Sequence, residues 1–429
     1  MMFYDVRTLR SRTLTISLEN GRVEKVKFDE SFGKAFRVLK NGFWGFYSTN
    51  EDVGIDEGLR RAMENVVGKG EDAIVDVETY EGRFVRKNSA EDVPIEQKVE
   101  LMREVEKTLK DEHIVSTRIV YIENTREFHY EDCNGIRAEY VVPRTGMIVQ
   151  AVAKGKSLQF LSKRILKPAG FEIFGDNVFE MAEEVREILR DLVNAKGAPA
   201  GKMNVVVDPS LGGVLVHEAF GHAVEGDHVL QGASVVAGKI GERIANENVY
   251  VYDDPTLMEF GFYPFDDEGV KARRRTIVEA GILKSYLHSR ETSAKLGGAP
   301  GNARAQGLDF PIVRMSNTFM GEGDKSFEEL LELAKDGVYL IGSRGGETDP
   351  ATGHFQFNAQ YGYVVRNGEI GEMIRDVSLS GNTLEILRDV EIGKGMEFDP
   401  GFCGKSGQLV PVADGSPPML IRAIVGGVE

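Results

Sequence analysis

"GGVLVHEAFGHAVEGDHVL", residues 212–230, holds three of the seven histidines in the 429-residue chain. Pro209 and Ser210 precede it as helix-starting residues and apolar residues recur through it, so the sequence predicts a short helix. His217 and His222 flank Glu218 in the pattern H-E-x-x-x-H, which is one residue longer than the H-E-x-x-H pattern of zinc proteases. Whether this helix can hold a metal therefore depends on its geometry.

The five-residue separation of the two histidines is incompatible with a regular α-helix around one metal. At about 100° per residue, an i,i+4 pair is about 40° apart, whereas an i,i+5 pair is about 140° apart. A π-type turn would bring both imidazoles to one side, and such turns are frequent at functional sites. We therefore predict a distortion between His217 and His222, with Gly221 at or beside it. The Gly-rich "GGVLV" is predicted to pack closely against another element of the core.

Composition restricts the class of protein. The 68 acidic and 52 basic residues give a net charge of −16, which argues against nucleic-acid binding because that binding needs basic patches. No apolar run approaches the roughly 20 residues that span a bilayer, and the N-terminus lacks the apolar segment of a signal peptide. We expect a cytoplasmic protein with neither nucleic-acid nor membrane partners. Two cysteines, Cys133 and Cys403, are too few for a disulfide scaffold.

The first half of the chain alternates between strand and helix signals. Asn-Gly pairs, which favour tight hairpins, occur at three places. Helix signals occur at three others, and the last two of these carry an apolar stripe at helical spacing. The hairpins are predicted at 20–21, 41–42 and 134–135, and the helices at 56–67, from Pro94 onward and at 176–194.

Small residues around Gly197 mark the clearest linker, and strand signals dominate beyond it. One helix interrupts these strands, with Ser326 and Glu329 as a capping box and Gly337 as its C-terminal stop. We predict an α+β fold of two domains. Residues 1–196 form a domain with a mixed sheet and helices, and residues 197–429 form an antiparallel, strand-rich domain that carries the H-E-x-x-x-H helix.

Several motifs resemble the TldD branch of the TldD/PmbA family of metallopeptidases, and the resemblance covers nearly the whole chain. They include "HEAFGHAVEGD" (217–227), "GASVVAGKIGERIA" (232–245), "GNARAQGLDFPIVRMSNTFM" (301–320), "GGETDPATGHFQFNAQYGYVVRNGEI" (345–370) and "CGKSGQLVPV" (403–412). The H-E-x-x-x-H motif marks a TldD-like chain, because the PmbA-like branch usually lacks it.

The resemblance implies one Zn²⁺ held by His217, His222 and Cys403, with Glu218 as the catalytic base. Two imidazoles and one thiolate leave the fourth position open, as catalytic zinc requires. Zinc lowers the pKa of its bound water towards about 7. Glu218 would take the proton as hydroxide attacks a peptide carbonyl, then deliver it to the leaving amine.

The resemblance also implies the substrates and the assembly. The expected activity is hydrolysis of unstructured oligopeptides or unfolded segments in a chamber closed by a second, homologous subunit. That subunit is either a PmbA- or TldE-like partner or a second copy of this chain. A peptide docked as an added β-strand would be held by its backbone, which gives broad sequence tolerance.

Other readings of the same residues stay open. A lone cysteine is commonly a small buried hydrophobe, although "GFCGKSGQ" around Cys403 is predicted to be an exposed, Gly-bounded loop. His129 and Cys133 would share one face of a strand and fit a small metal site, but a solvated loop fits better. Glu225 and Asp227 either orient the histidines or end the helix.

Two alternative functions belong to other classes. The chain could be a non-catalytic adaptor subunit with a structural metal, or it could hydrolyse a non-peptide amide at the same site. Glu218 favours catalysis over the adaptor, because a structural metal site needs no base.

Overall fold

The computed structural model describes residues 3–70 and 73–427. The first part of the chain forms one seven-stranded sheet with three helices. Its strands are β1 (Phe3–Glu19), β2 (Arg22–Lys40), β3 (Phe43–Thr49), β4 (Gly82–Val85), β5 (Ile114–Asp132), β6 (Arg137–Lys154) and β7 (Leu158–Lys167), and its helices are α1 (Ile55–Glu64), α2 (Ile95–Thr108) and α3 (Asn177–Leu192). The strand order is β3-β2-β1-β5-β6-β4, with β7 also paired to β6. The β4–β6 contact is parallel and the others are antiparallel, so the sheet is mixed, as predicted.

Two Asn-Gly pairs form the tight turns that their residue types predict. Asn20 and Gly21 have φ of 48° and 79° between β1 and β2, and Asn41 and Gly42 have φ of 56° and 78° between β2 and β3. Positive φ at both central residues is the type I′ geometry, whose twist matches that of the strands. The third predicted turn is longer, since residues 133–136 separate β5 from β6.

The predicted apolar stripes are the buried faces of the helices. Met102, Val105 and Leu109 of the α2 region have no exposed surface, nor do Val178 and Val185 of α3. The two helices pack on the sheet around a shared core. Among the described residues, no helix combines the length and apolar composition that crossing a membrane requires.

The second part of the chain contains sixteen strands and five helices among the residues that the structure describes. The strands are β8 (Lys196–Gly197), β9 (Gly201–Val207), β10 (Val251–Asp253), β11 (Arg275–Glu279), β12 (Ile282–Leu283), β13 (Ala303–Arg304), β14 (Ile312–Val313), β15 (Asn317–Met320), β16 (Gly337–Asp349), β17 (His354–Arg366), β18 (Glu369–Arg375), β19 (Ser378–Asn382), β20 (Glu391–Ile392), β21 (Glu397–Lys405), β22 (Gln408–Ser416) and β23 (Met419–Gly426). The helices are α4 (Pro209–Val214), α5 (Gly226–Leu230), α6 (Arg290–Leu296), α7 (Phe327–Ala334) and α8 (Thr383–Asp389).

Two sheets enclose the helix that carries the histidines. One has the order β12-β11-β10-β15-β22-β21. In the other, β16, β9, β23, β19 and β17 follow one another and β17 pairs back to β16, so these five strands close into a ring. Helix α4 contacts β21 and β22 of the first sheet and β16 of the second, and the turn that follows it, Leu215–Phe220 with His217, contacts β15, β22 and β16. The segment from Pro209 to Val224, which carries both histidines, therefore lies in the interior of this part of the fold.

Most strand pairs of the second domain are antiparallel, as predicted, but not all of them are. Three of its strand pairs are parallel: β9–β16, β15–β22 and β8–β18. Parallel neighbours require a crossover connection, and the two strands of each pair are separated in sequence by many other elements. Turn signals and local periodicity carry no information about such distant pairings.

The predicted capping box begins α7, but its predicted stop is displaced. The Ser326 hydroxyl accepts from the Glu329 amide, and the Glu329 carboxylate accepts from the Ser326 amide. The helix ends at Ala334, where Lys335 takes a φ of 56°. Gly337 instead opens β16, where a Cβ would overlap the carbonyl of Asn204 on β9. Close strand approach explains this glycine.

Buried arginines join the first sheet to the second part of the chain. Arg37 is 1% exposed and pairs with Asp5 on β1 and, at 3.1 Å, with Glu268. Asp267 receives Arg126 at 2.7 Å and lies 3.5 Å from Arg7. Each of these charges is compensated by a partner, which a buried ion needs.

Helix α4 packs on β22 through its two glycines. A Cβ on Gly213 would lie 2.6 Å from the carbonyl oxygen of Asp414, and one on Gly212 would lie 2.8 Å from the Ser416 hydroxyl. This is the close packing predicted for "GGVLV". It holds the following turn, with both histidines, directly beside β22.

We predict that Gly213→Ala lowers the free energy of unfolding by about 1–3 kcal/mol, the scale of overpacking a core, although Ala is the better helix former. The added methyl would collide with backbone that cannot rotate away. The measurement is the midpoint of urea unfolding. Gly54→Ala is the control, because nothing lies within 4 Å of its Cβ position. Equal midpoints for the two variants would show that helix and strand do not need this contact.

Candidate metal centre

A π-helical turn carries the first histidine. Helix α4 continues into a π turn at Leu215–Phe220 and then a 3₁₀ turn at Gly221–Val224. The distortion lies where the five-residue spacing predicted one. It brings the rings of His217 and His222 to a centroid separation of 5.3 Å. Both imidazoles can therefore face one ion.

Gly221 lies directly beside the distortion, as predicted, but its own backbone is regular. Its φ and ψ of −57° and −44° are ordinary helical values, and it is Phe220 that departs from them, with a φ of −121°. A Cβ on Gly221 would overlap the sulfur of Met315. The glycine is needed because a neighbouring side chain packs against its backbone.

Side-chain hydroxyls from other parts of the chain hydrogen-bond to backbone carbonyls of the two irregular turns. The buried Thr383 hydroxyl donates to the carbonyl of Ala219 at 2.9 Å. The Ser234 hydroxyl donates to the carbonyl of Ala223 at 2.5 Å. Buried carbonyls need such partners, so two distant parts of the chain support the distorted segment.

The structure brings Cys403 to the histidines. Its sulfur lies 3.5 Å from Nε2 of His222. One ligand atom from each of His217, His222 and Cys403 lies within 4.8 Å of the others. All three side chains are buried, at 1%, 7% and 3% exposure.

The local setting of Cys403 differs from the predicted exposed loop. The residue lies within strand β21, and its side chain is buried. The turn itself is at Ser406 and Gly407, with φ of 51° and 77°, and joins β21 to β22 as a hairpin. The glycines in "GFCGKSGQ" gave a loop signal, but strand pairing with β22 decides the conformation.

Each histidine contacts a carboxylate through its Nδ1 ring nitrogen. Nδ1 of His217 lies 2.6 Å from Oδ1 of Asp414, a charge contact without the alignment of a hydrogen bond. Nδ1 of His222 lies 2.8 Å from Oε2 of the fully buried Glu225. Carboxylates in this position fix the orientation of a metal-binding imidazole. Of the two acids considered from the sequence, Glu225 makes this contact, whereas Asp227 pairs with Lys405.

Electrostatics in the site favour an anionic sulfur beside the imidazoles. Burial raises the pKa of the Cys403 thiol, but His217 and His222 outweigh it and hold the pKa at about 6. Burial disfavours the charged imidazoles, yet Asp414 raises the pKa of His217 well above its usual range and Glu225 raises the pKa of His222 to about 10. A metal bound at this position would therefore displace protons from both rings.

The residues fit a metal of the zinc type. Nε2 of His217 is buried and has no hydrogen-bond partner among the described residues, which is costly for a polar atom unless a ligand occupies that direction. Two imidazole nitrogens and a thiolate are a ligand set that zinc prefers. Within the described ranges, a second group of side chains of metal-ligand type consists of Glu225, Asp227 and His228. The ammonium group of Lys405 already pairs with the carboxylates of Glu225 and Asp227.

Glu218 is the accessible acid of the site. Its Oε2 lies 3.6 Å from Nε2 of His222, and its side chain is 38% exposed. It thus combines contact with a proposed ligand with access to solvent. His228 lies behind the site, with Nδ1 3.0 Å from the carbonyl oxygen of His222.

The alternative site at His129 and Cys133 does not form in the described part of the chain. Nδ1 of His129 pairs with Glu139 at 3.0 Å. Cys133 lies beyond the end of β5, and neither residue belongs to a group of three metal-ligand side chains.

Asp414 and Lys405 are site residues that sequence reasoning missed. Both lie on the β21–β22 hairpin and meet the histidine segment only in the folded chain. The signal that could have found Lys405 is its position two residues after Cys403, on the same face of a strand.

Comparison with known proteins identifies the family to which these features correspond. PmbA/TldA metallopeptidase models match in three segments: domain 1 at residues 4–68, the central domain at 88–193 and the C-terminal domain at 200–427. The first two fall within the single domain predicted for residues 1–196, and one sheet runs through both of them. The architecture is therefore described by three domains, whereas the sequence predicted two.

Relatives match over the full length of the chain. A metalloprotease of Archaeoglobus fulgidus is 58% identical, with all of both chains covered. A zinc metalloprotease TldD homolog of Saccharolobus solfataricus is 32% identical, with 99% of this chain and 96% of the relative covered. The crystal structure of a putative modulator of a DNA gyrase from Thermotoga maritima has a TM-score of 0.80 at 25% identity, and the match covers 99% of this chain and 96% of that one.

We predict that Cys403→Ala weakens metal binding by a large factor, because it removes the thiolate of the three-residue set. Zinc content after equilibration with a competing chelator is the measurement. Cys133→Ala is the matched control, since it removes the other free cysteine of the chain. Full zinc retention by the Cys403 variant, with unchanged affinity, would exclude this residue as a ligand.

Proposed function

The chain belongs to the TldD branch of the PmbA/TldA metallopeptidase family, and from that premise we propose that its metal is zinc and its substrates are unstructured peptides. The observation that carries the proposal is the buried set of His217, His222 and Cys403, with the accessible Glu218 beside it. Metal-dependent hydrolysis of a peptide bond uses a Lewis acid and a positioned base, and these residues supply a place for each.

The ligand set supports zinc over harder cations. Mg²⁺ and Ca²⁺ prefer oxygen ligands, whereas nitrogen and thiolate sulfur suit zinc. Three protein ligands leave one position open for reaction. The Saccharolobus solfataricus relative is itself named a zinc metalloprotease.

We assign the proton transfers to Glu218. When bound, zinc supplies Lewis acidity that acidifies water and polarises the scissile carbonyl. The Glu218 carboxylate, through Oε2, accepts the proton of the attacking water and returns it to the leaving amine. Its partial exposure gives water and substrate access to that oxygen.

Asp414 and Glu225 hold the two imidazoles by their Nδ1 atoms, so that each Nε2 is directed to the metal position. These carboxylates keep both rings in one orientation through the reaction cycle. Their role is positioning, because neither needs to reach the substrate.

Burial of the ligands supports an unstructured substrate. The histidines and Cys403 are almost wholly covered by the chain, and access to them is beside Glu218. A peptide bond on a folded surface cannot approach such a site closely, whereas an extended segment can enter it. Backbone pairing of that segment to a strand edge would make cleavage tolerant of sequence.

We further propose that a second subunit, either a PmbA- or TldE-like homologue or another copy of this chain, closes the site into a chamber. Phe402 and Leu409, on the hairpin that carries Cys403, are 52% and 53% exposed. Large apolar side chains at such exposure are suited to an interface. A covered hairpin would also restrict the approach to the metal.

We predict that Glu218→Gln retains zinc while peptide cleavage falls by roughly 10² or more, the scale of general-base catalysis. Glutamine keeps the shape of the side chain but cannot take the proton. The test is digestion of a panel of unstructured peptides, with and without chelator, alongside zinc analysis. Glu332→Gln, at an exposed position of α7, is the control. Near-normal turnover by the Glu218 variant would favour the adaptor with a structural metal.

We predict that the protein sediments as a dimer at twice its 47.4 kDa chain mass, alone or with a PmbA-like partner. Phe402→Asp combined with Leu409→Asp should shift it to the monomer, because charge cannot be buried in an apolar contact. Sedimentation velocity measures both states. A monomeric chain that forms no complex with such a partner, yet cleaves peptides, would exclude the chamber.

A further inference from the structure

Lys405 is a buried cation next to the metal centre that no step of the proposed reaction uses. Its side chain is 7% exposed, which is unusual for lysine. Nζ lies 3.0 Å from Oε2 of Glu225 and 2.7 and 2.8 Å from the two carboxylate oxygens of Asp227, and it donates to the carbonyl of Val313 at 3.0 Å. Its surroundings therefore hold the ammonium in one place.

We propose that Lys405 is a positioning residue of the metal centre: it ties the hairpin that carries Cys403 to the carboxylate that orients His222. The proposal rests on the metal ligands of the proposed function. It adds a residue that contacts neither metal nor substrate but determines the distance between two ligands.

The contacts form a continuous chain from strand to helix. Cys403 and Lys405 are two residues apart on β21, so their side chains leave the same face of the strand. Lys405 pairs with Glu225, and the same oxygen of Glu225 contacts Nδ1 of His222. Nε2 of His222 then faces the sulfur of Cys403 at 3.5 Å. The loop of contacts begins and ends on β21.

Other contacts on the hairpin bind it to a different segment. Arg314 donates through Nη1 to the carbonyl of Gln408, and its Nη2 also donates to the carbonyl of Cys403. Gln408 itself bonds to the amide of Gln306 and to the carbonyl of Phe310. These contacts fix the hairpin against residues 306–314, but they do not set its distance from His222. The contact of Lys405 with Glu225 spans that gap.

Loss of the ammonium would leave a buried anion with one partner fewer. Glu225 is fully buried, and its Oε1 has no hydrogen-bond partner among the described residues. Its burial is tolerable because Lys405 and His222 both face its Oε2. Without Lys405 the carboxylate would relax towards water or towards His222, and either movement turns the imidazole away from the metal position.

The test compares Lys405→Met, Lys405→Arg and the control Lys284→Met in the full-length protein. Lys284 is 43% exposed and pairs with Glu279 at 3.1 Å on the surface. Co²⁺ alone is the probe, because the charge-transfer absorbance of a cobalt–thiolate bond reports on Cys403 directly. We expect Lys405→Met to bind Co²⁺ roughly 10–100-fold more weakly, the usual effect of losing a partner of a metal ligand. The thiolate band should change in shape, Lys405→Arg should recover part of the affinity, and the control should match the unaltered chain.

A double-mutant cycle separates positioning from general stabilisation. If Lys405 acts through Glu225, the Lys405→Met and Glu225→Gln losses in Co²⁺ affinity will not add. Additive losses, or Lys405→Met affinity equal to that of the control, would overturn the proposal. Thermal unfolding of the metal-free proteins shows whether Lys405→Met folds. If it does not, Lys405→Gln keeps a polar side chain but removes the ammonium that faces Glu225, and unchanged Co²⁺ affinity in that variant would overturn the proposal equally.

Failure of this proposal is distinguishable from failure of the proposed function. An unaltered chain that binds neither Zn²⁺ nor Co²⁺ through Cys403 would refute the zinc site itself. An unaltered chain that binds both, with affinity independent of Lys405, would refute only the positioning role.

Discussion

The five-residue spacing of His217 and His222 is the constraint on which the rest of the site depends. On a regular helix the imidazole rings of His217 and His222 would point apart. A π turn at Leu215–Phe220 brings them together. The hydroxyl of Thr383 supports that turn at Ala219, and the hydroxyl of Ser234 supports the following 3₁₀ turn at Ala223. The π turn must also be held against β22, which glycines at 212 and 213 allow. The glycines at 212, 213 and 221 are thus explained by close packing against neighbouring residues.

Each of the two histidines is paired with one buried or partly buried carboxylate. Asp414 reaches His217 from β22, whereas Glu225 reaches His222 from the same segment of chain. The first contact links helix to sheet, and the second fixes the ring within the segment. The orientation of His217 therefore depends on tertiary structure, whereas that of His222 depends on a residue three positions further along the same segment.

Local signals were sufficient where the physics is local. The Asn-Gly turns at 20–21 and 41–42 and the capping box at Ser326 and Glu329 depend only on neighbouring residues. The distortion after His217 was predicted from the requirement that two histidines five residues apart face one ion. Sequence reasoning failed where a distant strand decides the conformation, as at Cys403, where glycines suggested an exposed loop but pairing with β22 forms a buried strand. The parallel pairs and the roles of Asp414 and Lys405 have the same cause, since residues far apart in sequence leave no local pattern. The three ligands and Glu218 were named from a family resemblance, and their roles remain predictions.

The buried arginines between the first sheet and the second part of the chain limit how the protein can be divided. Arg37 faces Asp5 from its own sheet but Glu268 from the other side, and Arg7 and Arg126 both face Asp267. A fragment cut near residue 197 would keep the three cations and Asp5 but lose Asp267 and Glu268. It would also expose Phe128 and Tyr140, which pack against Phe265. The segments of this chain are therefore not interchangeable modules. Exchange of one segment for that of another protein would require matching changes in the arginines of the first sheet and in Asp267 and Glu268.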